Sequence, residues 1–377
     1  MAKPNTLRAL IDLTKTTQTL LTHYQSSLSP HNAKNAPSES LPNPLETAKA
    51  CTTLLKSHTT TLSLLLLTPP LTPSALITKI GDVSSGVLSG LVAAAVADNL
   101  KANSENGLGS LMSAELRAGV LRVLGAWGEV LALVVRLAEK RQDDGGSNKK
   151  DEGPTEAERQ SVLATTGVVW EACDQLLKFC DNGIVGLVVK KAEEWRSVLL
   201  DAVEELKEWG EDVDEDDEDG FEGSDDEFAG DDDIFGAANK LGKGDVKLKA
   251  LLDTSVKKLK MVGMLYQALI KRRLKTFPSS AQPSSSAGEK STEDKETQQD
   301  PMVKLEKLMV HLRAIPEGVD DLASAFYDLD ENEANAMFEK CCSEAKKAVA
   351  LVRQSWTGTD DEFTTWSGKW TDALNAE

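Results

Sequence analysis

Residues 183–210 read GIVGLVVKKAEEWRSVLLDAVEELKEWG, and in them Ile184, Val188, Ala192, Trp195, Leu199, Val203, Leu206 and Trp209 recur at intervals of three or four. At 3.6 residues per turn these side chains line one face of a helix, while Lys190, Glu194, Asp201, Glu205 and Glu208 line another. The same reading extends in both directions. Upstream, stripes predict helices over 6–28, 45–67, 73–96, 108–140 and 154–180, with Pro69-Pro70 ending the second and Thr72-Pro73 capping and opening the third. Asp181-Asn182-Gly183 reads as the turn between the fifth helix and the quoted one.

Downstream, the pattern stops at once. Between Glu211 and Asp233 fifteen of twenty-three residues are carboxylates and none is Lys or Arg. They supply fifteen of the nineteen net negative charges of the chain. Such a block repels itself and lacks the apolar area that offsets ordering entropy, so it reads as a disordered acidic arm. Helical stripes resume over 245–275, 301–313, 319–327, 331–356 and 362–374, interrupted by a Pro/Ser-rich linker at 278–300. Asp330 and Glu333 are spaced as a capping pair.

No strand pattern is visible, only 5% of the 377 residues are aromatic, and Leu, Ala, Glu and Lys recur throughout. The fold class is therefore all-α, in up-and-down bundles with disordered acidic and Ser/Pro-rich inserts. The expected domains are a helical bundle over 1–210, an acidic linker over 211–239 and a helical region over 240–377. The apolar window 83–97 falls short of the roughly 18 residues of a spanning helix, and the N-terminal segment lacks a continuous apolar run, so neither a membrane anchor nor an export signal is expected. Five scattered cysteines and no N-x-Ser/Thr acceptor fit a reducing compartment.

Signals for a reaction are absent. His23, His31, His58 and His311 have no partner at metal-ligand spacing, and no phosphate-binding glycine loop, nucleophile elbow or H-E-x-x-H occurs. The five cysteines read as small buried hydrophobes. No enzyme, cofactor or metal is expected. The arm's carboxylates lack the spacing of a calcium loop.

Two features suit binding. Lys240 to Lys275 holds eleven basic residues against two acidic ones. Lys257, Lys258, Lys260, Lys271, Arg272, Arg273 and Lys275 form a candidate face for an acidic partner, for nucleic acid or for the acidic arm itself, or else a solvated face suited to the helix dipole. The last cluster also reads as a nuclear import signal. In the arm, Ser224 precedes Asp225-Asp226-Glu227, an acid-directed phosphorylation site.

Val169-Trp170-Glu171-Ala172-Cys173, then Asp181-Asn182, then Asp201-Ala202-Val203-Glu204-Glu205 and the acidic insert follow one another in an order that resembles the cyclin-D-binding proteins, the GCIP-type or maternal-Id-like family. Ile315-Pro316 with Val319-Asp320-Asp321-Leu322-Ala323 and Tyr327 resembles that family's C-terminal block. Where the family tends to have proline before Asp-Asn, this chain has Phe179-Cys180. The resemblance implies a fold similar to the bundles of vinculin, talin and α-catenin. It also implies a non-enzymatic regulator of the cell cycle or transcription, resident in nucleus and cytoplasm. The implied partners are D-type cyclins and helix-loop-helix regulators, with nucleic acid not expected as the main ligand. Trp170, Trp195, Val319 and Leu322 read as core anchors or, alternatively, as partner contacts, and Asp320 and Asp321 as caps of a helix beginning there. The other open reading is a chaperone-like binder of basic proteins such as histones through the acidic arm.

Overall fold

A computed structural model describes residues 4–29, 41, 43–97, 109–143, 153–211, 241, 242, 244–278 and 300–376. The acidic arm beyond Glu211, the linker 279–299 and Ser224 lie outside the described residues. Every regular element among the described residues is helical, and the chain divides into two compact units, Met1–Ile184 and Val185–Glu377. The division falls within a helix, beside Gly183, and not at the acidic arm, where the sequence places it.

The first unit contains α1 (Pro4–Ser27), α2 (Pro44–Leu67), α3 (Pro73–Asp82), α4 (Leu88–Val96), α5 (Gly109–Asp143) and the first half of α6 (Glu156–Glu211). A π turn at Val83–Val87 joins α3 and α4 into one rod. Side-chain pairs fix the register. Lys15 meets Glu139 at 2.7 Å and Gly128 faces Leu21, so α1 and α5 are antiparallel. Lys140 meets Glu158 at 2.7 Å and Arg122 meets Gln175 at 3.0 Å, which makes α5 and α6 antiparallel too. Lys49–Asp181 and Lys56–Asp174, both at 2.5 Å, do the same for α2 and α6. Leu55, Leu76, Leu88, Val120, Leu124, Trp127, Val169 and Cys173 fill the enclosed core.

Caps set where these rods begin. Asn43 accepts from the Glu46 amide at 3.3 Å ahead of Pro44, and Thr155 and Glu158 cap one another reciprocally. The expected Thr72 cap is not made, because its hydroxyl bonds the Pro70 carbonyl at 3.2 Å instead. The rods Pro73–Val96 and Gly109–Asp143 are long and apolar enough to cross a membrane, contrary to the short window read from the sequence. Both instead give apolar faces to this core, including Leu76, Leu91, Leu116 and Val134.

Gly183 adopts φ 59°, ψ −155°, a conformation essentially restricted to glycine, and it breaks α6 at the division between the units. The sequence expects a three-residue turn here. One residue suffices, since Asp181 and Asn182 stay helical.

The second unit holds the rest of α6 with α7 (Val246–Leu269), α8 (Pro301–Tyr327), α9 (Glu331–Leu351) and α10 (Glu362–Asn375). Val188, Ala192, Leu199, Val203 and Leu206 turn inward as their phase requires, with Trp195 and Trp209 half-buried. Arg196 donates to the Gly263 carbonyl at 3.1 Å and Gly210 lies against Leu252, so α6 and α7 run antiparallel. His311 and Glu344 at 2.6 Å, with Asp321 and Lys340 at 3.6 Å, set the same relation between α8 and α9.

Two predicted segments, 301–313 and 319–327, prove to be one helix through Pro316. Proline has no amide to give the carbonyl four residues back, which here is Leu312. The Tyr266 hydroxyl donates to that carbonyl from α7 and replaces the missing bond. No helix starts at residue 319, so Asp320 and Asp321 are not caps. Asp320 is exposed and Asp321 faces Lys340.

Candidate functional site

The α2–α6 seam of the first unit is charged at one end and apolar at the other. Lys49–Asp181 and Lys56–Asp174 occupy its charged end. Continuing that antiparallel register along both helices brings the turn of α2 carrying Leu64 beside the turn of α6 carrying Leu163 and Gly167. Leu64 is 59% exposed, Leu163 58% and Trp170 39%. A methyl group built on Gly167 would meet nothing within 4 Å, so the strip has open space between Leu163 and Trp170.

This placement corrects the reading of Trp170 as a core anchor. The inward stripe of this half of α6 is Val162, Thr166, Val169, Cys173 and Leu176, all buried. Trp170 follows Val169 by one residue, about 100° around the helix. Phase, which the sequence already contains, outranks residue type here. Cys173 is fully buried, Asn182 is exposed, and Val319 and Leu322 are fully buried in α8. Glu204 pairs with Lys207 at 2.7 Å and with Lys260 at 3.7 Å, Glu205 accepts from Tyr327 at 3.2 Å, and Asp201 lies 3.5 Å from the Ser197 hydroxyl.

The basic face of α7 and of the π turn Ile270–Leu274 that continues it also divides. Lys257, Lys271, Arg272 and Lys275 are exposed, Lys258 is half-buried and Lys260 faces Glu204. Arg273 does not belong to this face, for it is only 1% exposed. Its position continues the inward stripe of Leu259, Tyr266 and Ile270, three residues beyond the last, so the guanidinium enters the core. There Nε donates to the Val352 carbonyl at 2.7 Å and Nη2 to the Arg353 carbonyl at 2.8 Å, while the two terminal nitrogens grip Asp361 at 2.7 and 2.9 Å. Its carbon lies 4.4 Å from the centre of the Phe363 ring.

Asp361 in turn caps α10 by accepting from the Thr364 amide at 3.1 Å. The Arg273 hydrogen bonds hold its carboxyl down at about 2. One cation thus ties α7, the end of α9 and the start of α10 together. Its capture of the carbonyls of Val352 and Arg353 accompanies the end of α9 at Leu351, five residues before the sequence-read limit. A fork of five donors meets this geometry, which a lysine ammonium lacks.

Beside that clasp, α7 and α10 flank a groove of about 470 Å³. Met264, Ala268, Phe363 and Trp366 line it, and Lys271 and Arg272 stand at its rim. No single-residue signal marks this groove in the sequence, because it depends on a crossing of two helices ninety residues apart.

The thiols are poor nucleophiles. Burial pushes Cys173 and Cys341 up to about 12 and Cys180 and Cys342 up to about 11. Among the described residues no group of three His, Cys, Asp or Glu side chains comes together to hold a metal ion.

The fold and these surfaces define the class as helical-bundle proteins that present helix faces. Residues 48–212 match the family described as Grap2 and cyclin-D-interacting, N-terminal, the same family that the sequence resembles. The matched stretch includes most of α2, all of α5 and α6, and the whole Leu64–Leu163–Trp170 strip. The chain is also similar to an uncharacterized protein of Schizosaccharomyces pombe, 25% identical over 336 residues, which covers 89% of this chain and 85% of that protein.

Proposed function

We propose that this chain is a non-enzymatic regulatory protein that binds a D-type cyclin or a closely similar cell-cycle regulator, with the α2–α6 strip as its contact. The observation that carries the reading is the exposure of Leu163 and Trp170 on the stripe of α6 that continues from Asp174, with the exposed Leu64 on the facing turn of α2, inside the stretch matched to a cyclin-D-interacting family. A large aromatic with apolar neighbours and a charged border has the composition of a binding hot spot and its rim. The complementary partner surface is the apolar face of an amphipathic helix, which would cover the strip while polar groups meet the Lys49–Asp181 and Lys56–Asp174 pairs. Action in cell-cycle progression or transcription, binding of helix-loop-helix regulators, and residence in nucleus and cytoplasm belong to the same proposal.

A photo-crosslinking amino acid placed at residue 163 tests the contact in the full chain. With a D-type cyclin it should yield a covalent complex, whereas the same group at the exposed Val310 of the second unit should not. Absence of any cyclin complex sinks the partner assignment. Crosslinks at residue 310 alone sink the strip. A basic-protein chaperone would instead require the acidic arm, so replacing residues 212–240 with a Gly/Ser linker should leave the residue 163 crosslink in place.

A further inference from the structure

The α7–α10 groove of the second unit combines an apolar lining with unpaired positive charge. Met264 is 52% exposed at one side, and Trp366 is half-buried at the other. Arg272 pairs with Glu362 across the groove. Lys271 and Lys275, in contrast, have no ion-pair partner among the described residues. A fitting ligand supplies carboxylates for the rim and an aromatic or aliphatic side chain for the lining. A purely acidic strand leaves the lining wet, and a purely apolar one leaves the lysines unmatched.

The chain carries such a ligand. Residues 221–235 read FEGSDDEFAGDDDIF, in which Phe221, Phe228, Ile234 and Phe235 punctuate seven carboxylates. We infer that this segment docks in the α7–α10 groove of its own chain, an aromatic side chain entering beside Met264 and Trp366 and its carboxylates meeting Lys271 at the rim and Lys275 four residues beyond it. The inference is independent of the α2–α6 strip.

Reach permits it. Gly210 packs against Leu252, so the acidic arm leaves α6 near the beginning of α7. From Leu252 to Ala268 is sixteen residues of helix, about 24 Å at 1.5 Å each. Phe228 is seventeen residues from Glu211 and thirteen from Leu241, spans of about 55 and about 40 Å when extended. Both legs exceed the distance required. Tethering also raises the local concentration of the segment to the millimolar range, so a weak contact suffices to occupy the groove and external acidic ligands compete at a disadvantage. Phosphorylation of Ser224 would add charge within the docked stretch and strengthen it.

The test uses a fluorescent peptide of residues 219–237 as probe. It is titrated at low salt into the intact chain and into a chain whose residues 212–240 are replaced by a Gly/Ser linker of equal length. The linker chain should bind the probe at least tenfold more tightly than the intact chain. Lys271→Glu with Met264→Glu in the linker chain should abolish binding, and both positions are exposed, so the fold should survive. A probe carrying Phe221→Ser and Phe228→Ser should bind at least tenfold less tightly. Equal affinity of the intact and linker chains overturns the inference, as does failure of the linker chain to bind the probe. Undiminished binding of the Ser-substituted probe overturns it as well, because that result reports charge attraction without the groove.

Discussion

Arg273 shows how much one residue changes a reading made from charge alone. In the run Lys271-Arg272-Arg273-Leu274-Lys275 it looks like one more surface cation, yet it is the most deeply buried charge among the described residues of the second unit. Removing it leaves the Asp361 carboxylate and two carbonyls without their donors and opens a cavity where a fully buried side chain stood, so Arg273→Ala should cost about 2 to 5 kcal/mol in chemical denaturation. The pair also predicts a pH dependence. Asp361 is depressed from 3.8 to about 2 in the folded chain. The folded state binds that proton less readily than the unfolded state. The pair's contribution is thus fully present above the unfolded value and is lost as pH falls toward 2. The stability gap between the unmodified chain and Asp361→Asn should be constant above about pH 5 and shrink between pH 4 and 2, as followed by acid titration of denaturation midpoints. A gap that widens on acidification would contradict the assignment.

At the scale of elements, one irregularity is accounted for by a neighbour and a second by the residue itself. Pro316 stays inside α8 because Tyr266 supplies the donor that proline lacks. Tyr266→Phe should therefore cost about 1 to 3 kcal/mol by leaving the Leu312 carbonyl unsatisfied. In a Pro316→Ala background the alanine amide fills that role, so the same Tyr266→Phe change should cost less than about 1 kcal/mol. A double-mutant cycle from denaturation midpoints measures the difference, and a coupling of zero would rule out the replacement. Gly183 is the second case. With φ 59° and ψ −155°, Gly183→Ala should destabilise the chain by about 1 to 3 kcal/mol even though a methyl group there meets nothing.

Helix positions were legible in the sequence to a large extent, since apolar phase survives in α5, α6 and α7 residue by residue. What escaped were departures set by tertiary partners: the continuation of α8 through Pro316, the early end of α9, and the placement of one α6 helix across two units. The candidate site was less legible. Residue type alone misplaces Trp170 and Arg273, although their phase in the stripes of Val169 and Ile270 points outward for one and inward for the other. The α7–α10 groove was not legible at all, because no local pattern encodes which helices become neighbours.

For the whole molecule, the two units present different chemistries. The first offers an apolar strip with a charged border, and the second a basic-rimmed groove. Binding through the strip should depend little on salt, because burial of apolar area carries it, whereas occupation of the groove by carboxylates should weaken steeply as ionic strength rises. The measurement that bears most directly on the central claim is a calorimetric titration of a D-type cyclin into the full chain and into Leu163→Asp/Trp170→Ala. Both substituted side chains are substantially exposed, so helicity and thermal midpoint should change little. The expected result is at least tenfold weaker binding by the double variant, a loss of about 1.4 kcal/mol or more. Equal affinity of the two chains for the cyclin would contradict the claim that this strip is the contact.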